Sequence, residues 1–137
     1  MTALVQTKLI EVQATNISYK HNLQPTFGGG GGINVDYGGI NYEFGETYND
    51  DPSYSAIVVT ASPEVRGFRY DNDNDNEFHL KIDMRLIFVC DKSCNIDIDF
   101  VFLNEWYFSS FLRTYFKFYA EGIFEKSPFK GIKLPYN

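Results

Sequence analysis

The chain has 137 residues and a mass of 15.8 kDa, the size of a single domain. Twelve basic against eighteen acidic residues leave a net charge of −6, which excludes a nucleic-acid binder that works by neutralising phosphates. Apolar residues at 44% exclude wholesale disorder, and aromatic residues at 18% are more than one small interior needs, so some rings are expected at the surface as binding groups.

The opening segment MTALVQTKLIEVQ has no basic n-region and no long apolar run, so a secretory signal is not expected. No stretch approaches the roughly 20 apolar residues of a membrane span. The expectation is a cytoplasmic protein with no membrane partner, its two cysteines (Cys90 and Cys94) reduced. With His79 the cysteines make only three scattered donors, short of a zinc set, so no metal is expected.

Residues 8–20 read as a first strand. Ile10, Val12 and Ala14 share one face while Ile17 and Tyr19 take the other parity, which predicts a bulge near Thr15–Asn16. Gly28 to Gly32 then predict a mobile loop within the single domain 1–137. A phosphate cradle there lacks the preceding strand, following helix and lysine it requires. Residues 33–46 alternate again, with Ile33, Val35 and Tyr37 on one parity and Ile40, Tyr42 and Phe44 on the other. Gly38–Gly39 mark a kink where the parity changes. Residues 48–53 read as a turn and 54–61 as a strand apolar on both faces.

Asp71, Asp73 and Asp75 are spaced like calcium ligands, but an EF-hand loop needs Gly and Glu where Asn76 and Ile82 stand, so 71–76 reads as a solvated loop. The strongest pattern follows. Phe78, Leu80, Ile82, Met84, Leu86, Phe88 and Cys90 alternate with His79, Lys81, Asp83 and Arg85, and alternation resumes at Ile96, Ile98, Phe100 and Phe102. Together these predict a long antiparallel hairpin over 77–103. Residues 104–121 switch to helical spacing, with Asn104 as N-cap, Gly122 as the stop, and Phe108, Phe111, Leu112, Tyr115 and Tyr119 as the packing stripe. Trp106, Tyr107, Phe116 and Phe118 fall outside that stripe and imply a second apolar neighbour, a subunit or a bound chain. The tail IFEKSPFKGIKLPYN, with two prolines, is expected to lie extended across another element.

No nucleophile–base arrangement emerges around His21 or His79, and Asp97 and Asp99 share the polar side of the predicted strand, so an enzyme is not expected. Two binding classes remain: a module for protein chains, and a β-rich carbohydrate module using Tyr and Trp faces.

The segments ISYKHNLQPTF (17–27) and EGIFEKSPFKGIKLPYN (121–137) resemble the end of strand one and the post-helix Leu-Pro-x-Asn run of the SecB-type chaperones. That resemblance covers 8–27 and 77–137, leaves 28–70 without a register, and departs from the family in lacking its short helix before the main one. It implies an α+β fold, with an antiparallel four-stranded or slightly larger sheet and a long C-terminal helix beside it. It further implies a homo-oligomer, a dimer of dimers, that holds unfolded polypeptide without ATP or any cofactor. The rings assigned to the client are Phe27, Tyr42 and Phe44, with Trp106, Tyr107, Phe116 and Phe118. Because the sequence stops at Asn137, before the family's export-linked tail, service to general secretion is the alternative. The first expectation is the branch dedicated to antitoxins and linked to phage defence.

Overall fold

The computed structural model describes residues 7–22, 31–69, 72–92, 96–129 and 131–135. Six strand segments form one antiparallel sheet: β1 (Thr7–His21), β2 (Gly31–Asp36), β3 (Asn41–Gly45), β4 (Tyr54–Ala61), β5 (Glu64–Arg69) and β6 (Asn72–Asp91). Two helices follow, α1 (Ile98–Leu103) and α2 (Glu105–Phe124).

The six segments are in effect four long strands. β4 and β5 keep one register along β6, Ala61 opposite Met84 and Glu64 opposite Lys81, so Ser62–Pro63 only interrupts a single strand. Pro63 has no N–H to give the ladder, and its carbonyl accepts from the Ile82 N–H at 3.1 Å. β2 and β3 likewise line β5 and β4 with a one-residue offset at Gly38–Gly39. Gly38 takes φ +68°, a conformation open to glycine, and its N–H is held by Asp36 Oδ1 at 2.9 Å. On the far side of β6 lies β1, shifted in register at Ile10 and at Thr15. The order β1, β6, β4–β5, β2–β3 is a Greek key, and it gives 28–70 the register that the sequence left open.

The alternation over 78–90 is borne out. Phe78, Leu80, Ile82, Met84, Leu86, Phe88 and Cys90 all point to one face, where α2 covers them. With Ile57, Val59 and Val65 from β4–β5 and Phe108, Leu112, Phe116, Ala120 and Phe124 from α2, they form one core. The predicted bulge at Thr15 and kink at Gly38–Gly39 are both present.

Several expectations are corrected. Gly31 and Gly32 pair with Arg69 and Phe68 in β2; the rest of the glycine run lies outside the described residues. Residues 72–76 belong to β6 rather than to a loop, Asn72 pairing with Arg69 and Asn76 with Phe68. The second arm of the predicted hairpin is instead the helix α1, so a short helix does precede the long one. Asp97 caps it, its Oδ1 accepting from the Phe100 N–H at 3.0 Å. Six residues hold less than two helical turns, so the spacing of Ile98, Phe100 and Phe102 fits a strand as well as a helix, and only packing decides. Asn104 holds the N-cap position of α2 as expected, its carbonyl accepting from the Tyr107 N–H at 3.0 Å, but its side chain makes no cap bond and its Nδ2 donates back to the Phe100 carbonyl at 2.9 Å. Gly122 does not stop α2, which runs to Phe124. A Cβ at Gly122 would meet nothing, so no close contact requires glycine there.

Candidate functional site

The buried stripe of α2 is Phe108, Leu112, Phe116, Ala120 and Phe124, in steps of four residues, with Tyr107 beside its start. It is rotated from the predicted stripe, so Phe111, Tyr115 and Tyr119 are only half-buried at its margin. Two of the rings assigned to a client are therefore interior. Phe116 is fully buried and meets Tyr37 edge-on at 6.0 Å, and Tyr107 is 4% exposed and stacked on Phe108 at 5.3 Å. They cannot touch a ligand without the core opening. The reason is helical phase: the row Phe111, Tyr115 and Tyr119 is one position away from the row Leu112, Phe116 and Ala120 that faces the sheet.

What remains outside is concentrated on α1 and the first turn of α2. Phe102 and Leu103 are exposed, Leu103 by 79%, with Ile98 beside them and Trp106 57% exposed one turn on. A helix of six residues buries Val101 fully and Phe100 in part, so Ile98, Phe102 and Leu103 are left in solvent. Beside Trp106 a furrow of about 400 Å³ runs between α2 and the edge strand β2–β3. Trp106, Ser109 and Arg113 form its helix wall, Tyr37 and Ile40 its sheet wall, and the Gly38–Gly39 kink its floor. Arg113 lies over the Tyr37 ring at 4.6 Å, a cation–π contact that fixes both side chains.

Tyr42, half-buried, sits behind this furrow with its ring edge-on to Phe108 at 5.8 Å. Burial, reinforced by Glu105 at the rim, pushes its phenol up to about 12. Its hydroxyl has no partner among the described residues, although a buried hydroxyl is ordinarily bonded. Phe44 is 44% exposed and lines a separate, smaller hollow with Lys92 and Ile96. Phe118 is 65% exposed but lies twelve residues beyond Trp106, about a third of a turn round the helix, so it faces away from the furrow. Phe27 lies outside the described residues. The structure thus places Trp106 at the furrow and Tyr42 behind it, and separates them from Phe44 and Phe118. Tyr37, Ile40 and Arg113 were not singled out in the sequence. The signal for Tyr37 and Ile40 was their position on either side of Gly38–Gly39, the one place where the edge strand turns.

Of the carboxylates, Glu105 lines the furrow, with Arg113 as the basic residue on the same helix. No group of three metal-ligating side chains occurs among the described residues.

No family model matches the sequence, and no curated protein does. Among solved structures the chain superimposes on a SecB-like chaperone of Mycobacterium tuberculosis, solved in complex with a ChAD peptide from the HigA1 antitoxin. The TM-score is 0.72 over 98% of this chain and 93% of the other, at 11% identity. The fold is SecB-like. A SecB-like fold accounts for the Greek-key sheet, the short helix α1 and the long helix α2 in that order. At 11% identity the side chains of the furrow are this chain's own, and their use has to be argued from their geometry.

Proposed function

We propose that this protein is a nucleotide-independent holdase that keeps aggregation-prone polypeptide in solution, and that its client is an antitoxin. The observation that carries the proposal is the set of solvent-exposed apolar side chains on α1 and early α2, Phe102, Leu103 and Trp106, of which Trp106 lines the furrow walled by Tyr37 and Arg113. Large apolar side chains grouped beside a groove are an arrangement for binding, because a monomer gains nothing by exposing them. Rings offer wide contact area with few rotatable bonds, which suits a site that must accept varied sequences. The net charge of −6 favours client segments that carry Lys or Arg among their apolar residues, and it keeps the protein itself soluble.

The antitoxin assignment is supported by the SecB-like structure that holds an antitoxin peptide. The protein acts without ATP, cofactor or chemical turnover, in the cytoplasm and as a homo-oligomer. Phe118, exposed beside half-buried Tyr115 at 6.1 Å, offers a second copy an apolar face distinct from the furrow.

The test is light scattering of an unfolding client with and without the protein, in the absence of nucleotide, followed by co-expression with antitoxins from neighbouring reading frames. Suppressed aggregation, and an antitoxin that survives only with the protein present, are the expected results. Undiminished aggregation at stoichiometric excess would overturn the proposal.

A further inference from the structure

The last described residues form a strap along α2. After Phe124 the Ser127 hydroxyl donates to the Phe124 carbonyl at 2.9 Å and accepts from the Phe129 N–H at 3.0 Å, which turns the chain off the helix. Gly131, at φ +88°, turns it back. Lys133 then faces Glu125 and Glu121 at 4.0 and 3.7 Å, and Leu134 lies one turn further along, so the strap runs toward the N-terminal half of α2.

Leu134 is gripped in three ways. Its side chain is in the core, 3% exposed. Its N–H donates to Glu121 Oε2 at 2.9 Å, and its carbonyl accepts from Lys117 Nζ at 2.6 Å. Lys117 and Glu121 are hydrogen-bonded to each other one turn apart, so their charges stay matched while both read the strap's main chain. None of these contacts depends on the strap's sequence except the apolar side chain. This is the chemistry by which an extended polypeptide of varied sequence would be held.

Lys117 and Glu121 continue, at four-residue steps, the flank of α2 that Arg113 begins. The open furrow at Trp106 and Arg113 and the covered slot at Lys117 and Glu121 therefore lie on one side of one helix.

From this we infer that the Lys117–Glu121 pair and the apolar slot beside it are a second subsite for extended polypeptide, occupied in the resting protein by the chain's own residues 131–135. A client segment with a leucine-like residue enters at the open furrow and, when long enough, displaces the strap and takes over its hydrogen bonds. The inference rests on the holdase proposal and adds a length-dependent competition to it.

The test is amide hydrogen exchange at Leu134 in the intact protein, with and without saturating reduced, carboxymethylated lactalbumin as a permanently unfolded probe. Exchange at Leu134 should accelerate at least tenfold on binding. Leu134→Ala should bind the probe three- to tenfold more tightly than the unaltered chain, because the strap competes less well while Lys117 and Glu121 are left intact. A bound probe that leaves Leu134 as protected as before in the unaltered chain, with Leu134→Ala binding no more tightly, overturns the strap inference while leaving the holdase standing. A probe that does not bind at all takes both down. Should Leu134→Ala lose its native circular dichroism, Lys133→Ala, which removes the strap's ion pairs with Glu121 and Glu125, replaces it, with the same outcomes.

Discussion

The two halves of α2 present the same kind of flank and meet different fates. In the C-terminal half, Lys117 and Glu121 are covered by the strap, and Phe124 is enclosed by Phe78 at 5.0 Å and Tyr19 at 6.4 Å. In the N-terminal half nothing among the described residues covers Trp106, and α1 adds Phe102 and Leu103 to the exposed surface. Helix and spacing are shared, so what differs is whether the chain returns to cover the flank. Both halves bury a row in the core, Phe108 and Leu112 as well as Phe116, Ala120 and Phe124, but only the N-terminal half leaves its flank open for binding, so substitutions in the core and on that flank should separate stability from binding.

The largest effect on stability is expected from Phe116→Ala. The ring is fully enclosed, and removing it should cost about 3–5 kcal/mol by urea unfolding. A small loss there would mean that the packing stripe has been misplaced. Next is Gly67→Ala, in the half that the strap closes. An added Cβ would sit 2.0 Å from a Phe78 ring carbon, displacing the ring that braces Phe124 and Phe129. The expected cost is about 1–3 kcal/mol, seen as a lowered midpoint.

Glu121→Gln should cost about 1 kcal/mol at neutral pH. Burial alone would raise the Glu121 carboxyl, but the Lys117 hydrogen bond, the Leu134 N–H and the charges of Lys117 and Lys133 outweigh it and hold the group below its usual range. A carboxyl lowered in the folded state contributes its full stability above the unfolded value of about 4.3 and loses it as pH falls through the folded value. The gap between the unaltered chain and the variant should therefore be constant near neutrality and close below about pH 4. The groups that set this response are Lys117 and Lys133, with Glu125 acting through Lys133.

The smallest effect on stability belongs to the open half. Trp106→Ser should change unfolding by no more than about 0.5 kcal/mol, yet weaken client binding about tenfold in a fluorescence titration. If stability fell instead, Trp106 would belong to the folded core.

The sheet was legible in the sequence wherever a strand has one buried face. The seven alternating residues from Phe78 to Cys90 could not be placed otherwise, and the parity change near Thr15 located its bulge. The break at Ser62–Pro63 was not legible, because a strand interrupted without a change of register looks like two strands or none. Helix α1 was misread because six residues satisfy both periods, and the phase of α2 because rings outnumber the positions on one stripe. At the site, Trp106 could be recognised as surplus to the core. Tyr107 and Phe116 could not be told from it by spacing alone, and Arg113, which joins helix to sheet through Tyr37, carries no pattern of its own.

The central claim is that the open flank of α2 receives unfolded polypeptide, while the face at Phe118 meets another copy of the chain. A photo-crosslinking amino acid placed in turn at positions 106 and 118, irradiated with the lactalbumin probe bound, tests this most directly. The account predicts that position 106 captures the probe and position 118 captures a second copy of the protein. Capture of the probe at 118 and not at 106, or equal capture at both, would contradict it.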